Sequence, residues 1–219
     1  MDPGPARGGR DSRPARGGEG DAPPGADRRS RDSLEEGIRR LLAAGDRRGA
    51  AAEAVRGYGP EILRYLRGLL GSESDAQEAF SASAERLWQG LASYRGEASM
   101  RTWAFRLAWS AASDLRKEAW RARGRRLGTS EAAGLAADGR TRSHLRAEAR
   151  RSSLEALRSS LPLEDQCLLQ LRVDRGLSWA DCAHVLAREG RPARPEALMK
   201  RYQRIKDRLG RMARERRGP

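Results

Sequence analysis

The stretch GEASMRTWAFRLAWSAASDLRK, Gly96 to Lys117, sets two tryptophans and a phenylalanine among arginines in a chain where aromatics are otherwise scarce. Met100, Trp103, Leu107, Ala111 and Leu115 recur at helical spacing, and Ser99 stands where an N-cap belongs. The pattern predicts an amphipathic helix whose buried stripe includes Trp103. Phe105 and Trp109 fall on the flanking faces, beside Arg101, Arg106, Arg116 and Lys117. Rings next to cations suit stacking on bases and contact with phosphates. Packing against a neighbouring helix is the competing reading, and the rest of the chain has to decide.

Upstream, SLEEGIRRLLAAGDRRGAAAEAVRGYGPEILRYLRGLLGS reads as three helices, broken at Gly45-Asp46 and at Gly59-Pro60. Ser33 is expected to cap the first, with Glu36 in the capping-box position. Ile62, Leu63, Leu66, Leu69 and Leu70 form the stripe of the third. The next helix, DAQEAFSASAERLWQGL, opens with Asp75 and Glu78 placed for a capping box. Its predicted stripe is Phe80, Ala84, Leu87, Trp88 and Leu91, leaving Gln77, Glu78, Ser81, Glu85 and Gln89 outward. The first 33 residues mix Gly, Pro, Arg and Asp with hardly an apolar side chain, and are expected to be a disordered arm.

Downstream, residues 124–141 are rich in Gly, Ala and small polar residues without a sustained stripe, the composition of a flexible linker. Leu161-Pro162 marks a new unit. Ser178 is placed to cap a helix with Asp181 at N3, burying Trp179, Cys182, Ala183 and Leu186 before Gly190 and Pro192 end it. A second helix begins near Pro195. Projection puts Leu198, Tyr202, Ile205 and Leu209 on one side and Glu196, Lys200, Gln203, Arg204 and Asp207 on the other. Two helices so arranged read as a helix-turn-helix with a base-reading outer face; a plain helical hairpin with a solvated face is the alternative.

The 44 Lys plus Arg against 30 Asp plus Glu give a net charge of +14, which favours a polyanionic partner because neutralised phosphates release counterions. Cys167 and Cys182 form no CxxC pair, and with His144 and His184 as the only histidines there is no metal-ligand spacing, so the thiols read as small buried side chains. No cofactor is implied. The start of the chain carries no apolar run of a signal sequence, and no segment reaches the roughly 20 apolar residues of a membrane span, so a cytoplasmic protein is expected. A helical hydrolase or transferase is disfavoured, since no nucleophile with a base or pair of convergent acids emerges.

The order of pieces resembles the extracytoplasmic-function (ECF) group of bacterial RNA polymerase sigma factors. Tyr94-Arg95-Gly96-Glu97-Ala98-Ser99-Met100-Arg101-Thr102-Trp103 is closely similar to that family's Phe-Arg-Gly-Glu-Ala-Ser-Phe-Arg-Thr-Trp. Asp75-Ala76-Gln77-Glu78 with Arg86-Leu87-Trp88 resembles its acidic helix, and Gly176-Leu177-Ser178-Trp179-Ala180-Asp181-Cys182-Ala183 its second domain. The chain departs from the pattern at Ser81-Ala82, where Gln-Glu is usual, and at Cys182, where Ile is usual.

The resemblance implies an all-α protein of two small helical domains: a sigma region two-like bundle (34–123) and a sigma region four-like helix-turn-helix (142–219), joined by the flexible linker. It implies a non-enzymatic factor that binds core RNA polymerase and directs promoter recognition, with an anti-sigma factor as a further candidate partner. Asp75, Gln77, Glu78, Ser81, Glu85 and Gln89 would bind core polymerase. Arg95, Arg101, Phe105, Arg106, Trp109, Arg116 and Lys117 would bind the −10 element, opened to a single strand. Arg194, Glu196, Lys200, Arg201, Gln203 and Arg204 would read the −35 element. The alternative is a stand-alone helix-turn-helix transcription regulator that needs no polymerase.

Overall fold

The structure, a computed structural model, describes residues 24–126, 156–187 and 192–215, and among these every regular element is helical. The first four helices are α1 (Pro24–Ala43), α2 (Arg47–Leu70), α3 (Glu73–Gly90), followed by a 3-10 turn (Leu91–Ser93), and α4 (Met100–Arg126). After residues outside the described set come α5 (Leu163–Leu169), prolonged by a π-type turn (Gln170–Asp174), α6 (Trp179–Leu186) and α7 (Pro195–Glu215). Residues 1–23 of the expected arm and 127–141 of the expected linker lie outside the described residues.

Several local expectations are corrected. α1 begins at Pro24, so Ser33 lies inside a helix rather than at its start, and Glu36 pairs with Arg39 instead of closing a capping box. The Gly45-Asp46 break holds: Gly45 has φ +79° and Asp46 accepts a hydrogen bond from the Gly49 N–H at 2.8 Å. The break at Gly59-Pro60 does not occur, and α2 runs through both. Burial of Tyr58, Ile62, Tyr65 and Leu66 along this segment outweighs the proline's lost hydrogen bond. Gly59 serves close approach, since a Cβ there would lie 3.3 Å from the Phe80 ring of α3. α3 is capped by Ser72, whose hydroxyl accepts from the Asp75 N–H, so Asp75 is a first-turn acid and not the cap.

The core of the first unit gathers Ile38, Tyr58, Tyr65, Leu66, Met100 and Phe105, all essentially without exposure. Trp88, expected in the α3 stripe, is instead 52% exposed. In the second unit Leu168, Leu171, Leu177, Cys182 and Val185 are buried against Leu198 and Ile205 of α7. Ser178 caps α6 with the Asp181 N–H donating at 3.0 Å, and Pro195 opens α7, both as expected. α6 stops at Leu186, short of Gly190. The two units are in contact, α4 packing on α6 and α2 on α5.

Candidate nucleic-acid and polymerase interfaces

The segment between α3 and α4 is held as a ring. Gly96 adopts φ +73°, a conformation costly for a side chain with a Cβ, and the Tyr94 hydroxyl donates to the Ala98 carbonyl at 2.6 Å. Tyr94 in turn packs on Trp103, ring centroids 5.0 Å apart. Together they wall a cavity of about 240 Å³, whose lining also includes Arg95, Glu97, Arg106 and His184. Trp103, assigned by periodicity to the core, is therefore only half-buried and shows an edge to this cavity.

The start of α4 is fixed from two sides. Ser99 Oγ accepts from the Thr102 N–H at 3.1 Å, the cap read from the sequence. Glu35, on α1, accepts from the Met100 N–H at 3.0 Å and the Arg101 N–H at 2.9 Å. A carboxylate on the first free N–H groups of a helix is favoured by both hydrogen bonding and the helix dipole. The Tyr58 hydroxyl donates to the same carboxylate at 2.7 Å, and burial, reinforced by that bond, pushes the phenol well above its usual range. Glu35 escaped the sequence reading because its partner lies 65 residues away; only the adjacent Glu36 fitted a local pattern.

The aromatic expectations for α4 are reversed. Phe105 is fully buried, edge-on to Tyr65 with centroids 5.2 Å apart, and Trp109 is 4% exposed. Neither ring offers a face to a base in this arrangement, because α2 and the second unit cover the side of α4 that faces them. Arg101 is also committed: it forms a two-pronged bond with Glu61 at 3.0 and 2.5 Å, its side chain 13% exposed, and its guanidinium lies 5.4 Å from the Phe105 ring. Arg95, Arg106, Arg116 and Lys117 are exposed. Lys117 pairs with Asp114, which also takes Arg86 at 3.1 Å.

On α3, Gln77, Glu78, Ser81, Glu85 and Gln89 are exposed and Asp75 is half-buried. The exposed Trp88 lies three and seven residues beyond Glu85 and Ser81, on the same helical face. The predicted polar surface thus has an indole within it, which the sequence reading had placed inside. Arg194, just before α7, and Glu196, Lys200, Gln203 and Arg204 on it are exposed. Gln203 donates to Asp207 at 3.1 Å. Arg201 departs from the expected set, bonding Asp165 at 2.6 Å and Glu164 at 2.9 Å, which staples α7 to the start of α5.

Residues 54–122, from within α2 to near the end of α4, match the family model for sigma-70 region 2. This stretch is similar to sigma-70 region 2. This region contains α3 with Trp88, the Tyr94–Ser99 ring and the cationic edge of α4. No match is found among curated proteins. Among solved structures the chain is similar to CnrH, determined in complex with the cytosolic domain of CnrY: 17% identity, TM-score 0.54, covering 87% of this chain and 98% of that one. At that identity the likeness speaks for the fold, and it extends beyond region 2 into the second unit. The region 2 match agrees with the sigma-factor motifs read in the sequence, and the shared fold with the expected all-α architecture.

Proposed function

We propose that this sigma factor joins core RNA polymerase through α3, opens and holds the −10 region at the Tyr94–Ser99 ring, and reads the −35 element with α7, with no catalytic chemistry of its own. The observation that carries this reading is the region 2 match spanning both the exposed α3 face and the ring. An exposed tryptophan ringed by polar side chains has the composition of a binding hot spot, and Trp88 is the anchor for a helical surface on the polymerase.

At the ring, Tyr94 and Trp103 supply aromatic surface while Arg95 and Arg106 supply charge. A single unstacked base is the ligand class that uses both. This moves the stacking role from Phe105 and Trp109, which are core, to Tyr94 and Trp103. Arg116 and Lys117 continue the cationic edge along α4 and suit the phosphates of the flanking duplex. On α7, Lys200, Gln203 and Arg204 share one exposed face of the kind that enters a major groove. A division into a region 2 unit of about 34–123 and a helix-turn-helix unit of about 142–219 accommodates these roles.

The expected setting is the cytoplasm, with polymerase; among the described residues no helix is long and apolar enough to cross a membrane. An anti-sigma factor is a further expected partner, as the family resemblance implies, and the complex of CnrH with the cytosolic domain of CnrY supports a protein partner on this fold. The test is to mix the purified chain with core RNA polymerase at low ionic strength, isolate the complex and sequence the transcripts that start. Association and defined start sites are expected. Tight binding to duplex DNA by the chain alone, with no polymerase complex, would refute the proposal and favour a stand-alone regulator.

A further inference from the structure

The C-terminal half of α4 faces the start of α5 across a cavity of about 380 Å³. That volume falls in the range of small-molecule sites, roughly 300–1,000 Å³. Trp109, Ser113, Lys117 and Arg121 line it from α4, each four residues after the last, so they form one ridge along the helix. Arg116 stands beside this ridge, and Leu163 and Glu164 of α5 form the opposite side.

Two observations mark the cavity as a place for a ligand. The first is Ser113, which is 9% exposed and whose Oγ is buried without a hydrogen-bond partner among the described residues. A buried hydroxyl left unbonded costs stability, and a serine within a helix can ordinarily bond the carbonyl one turn back. Its hydroxyl can turn to meet a group seated in the cavity. The second observation is charge. Arg116 and Arg121 are exposed and have no ion-pair partner among the described residues. Lys117 makes only a solvent-exposed pair with Asp114 at 3.2 Å, which holds its cation weakly.

The remaining walls are of another kind. Trp109 and Leu163 present apolar surface, and Glu164, bonded to Arg201 at 2.9 Å, presents a carboxylate. A bare anion would leave the apolar wall unused. A ligand with a phosphate at one end and a flat ring at the other uses every wall: the phosphate takes charge-assisted bonds from α4, and the ring covers Trp109 and Leu163. A ring N–H can donate to Glu164, since the two oxygens of a carboxylate accept about four hydrogen bonds between them. A continuous nucleic-acid strand would instead carry further phosphates past Glu164, against its charge.

We infer that this cavity is a binding site for a free mononucleotide, its phosphate held by Ser113, Arg116, Lys117 and Arg121 and its base laid against Trp109 and Leu163. Ser113 and Arg121 belong to no interface proposed above, so the site is testable apart from the sigma-factor reading. Arg116 and Lys117 are shared with the cationic edge of α4. Where that reading holds, a bound nucleotide and promoter phosphates exclude one another at these two side chains.

The test is calorimetric titration of the purified full chain with GMP at fixed salt, beside guanosine, inorganic phosphate and a short single strand of DNA. GMP is expected to bind at one site with a Kd below about 1 mM, at least about tenfold more tightly than guanosine or phosphate, and to shift the Trp109 indole N–H resonance. Arg121→Ala should weaken GMP about tenfold, as befits loss of a charge-assisted bond. Ser113→Ala should also weaken GMP, by about fivefold, yet leave the melting temperature of the free chain unchanged or raised, because the hydroxyl has no partner to lose. A serine that served only the fold would show the reverse. Phosphate binding as tightly as GMP would reduce the cavity to an anion site and overturn the inference. So would the DNA strand binding with the same Ser113 and Arg121 dependence while GMP does not, GMP binding untouched by both substitutions, or no binding of GMP at all.

Discussion

Replacing Glu35 by alanine tests whether the start of α4 is held from α1. The carboxylate accepts two backbone N–H groups, at Met100 and Arg101, and the Tyr58 hydroxyl. Loss of the capping role costs about 1 kcal/mol by comparison with N-cap deletions, and loss of the tyrosine bond about 1 kcal/mol more. Glu35 is half-buried, so water reaches the freed groups and the larger penalty of a fully buried orphan does not apply. Glu35→Ala should therefore destabilise by about 2 kcal/mol, a fall in melting temperature of about 4–8 °C for a chain of this size. Glu35→Gln keeps one acceptor oxygen and should lose about half as much. Thermal unfolding followed by circular dichroism gives the magnitude, and the amide resonances of Met100 and Arg101 give the location. Promoter opening should fall further than polymerase affinity, because the ring and its cavity hang on this helix start while the α3 face does not. A loss below about 0.5 kcal/mol, or unmoved amide resonances in Glu35→Ala, would refute the reasoning.

Trp88→Ala should weaken core polymerase binding at least tenfold if the indole is the proposed anchor, while leaving the melting temperature within about 1 °C because the side chain is exposed; equal affinities by fluorescence anisotropy would remove it from the interface. Phe105→Ala should cost about 3–5 kcal/mol in chemical denaturation, the size of a lost core ring, and a cost under about 1 kcal/mol would contradict its burial. Arg204→Ala should weaken −35 duplex binding by about 1–3 kcal/mol if it reads a base, or only flatten the salt dependence if it holds phosphate; no change in either removes Arg204 from the site. Burial pushes the Cys182 thiol up to about 11 from a usual 9.0. The folded state thus prefers the protonated thiol, so its contribution is intact below pH 9 and fades as the pH rises toward 11; Cys182→Ala should make the alkaline decline in stability shallower, the remainder belonging to groups such as Cys167, whose thiol burial also pushes up.

Local chemistry wrote much of the fold into the chain. Ser99 before Met100, Ser178 three residues before Asp181, Gly45 with Asp46, and Pro195 at a helix start are signals that act within one turn, and each does in the structure what its type and spacing predict. The motif around Tyr94–Trp103 likewise marked, without any knowledge of its neighbours, a segment inside the region 2 match. Periodicity failed where more than one face of a helix is covered. α4 is enclosed by α2, α3 and the second unit, so Phe105 and Trp109 are core although they lie off the stripe, and Trp88 is exposed although it lies on one. Proline's cost at position 60 was overridden by burial on either side of it.

What only the tertiary structure decided are the contacts made between distant residues. Glu35 finds the α4 amides, Arg101 finds Glu61, Arg201 finds Glu164 and Asp165, and Thr102 finds Asp181. Charge beside the rings marked Arg101, and the family resemblance Arg201, as DNA contacts, because a linear chain shows a cation and not its partner. The sequence determines which side chains can cap, stack or carry charge; folding determines which of them are spent holding helices together and which remain for a ligand.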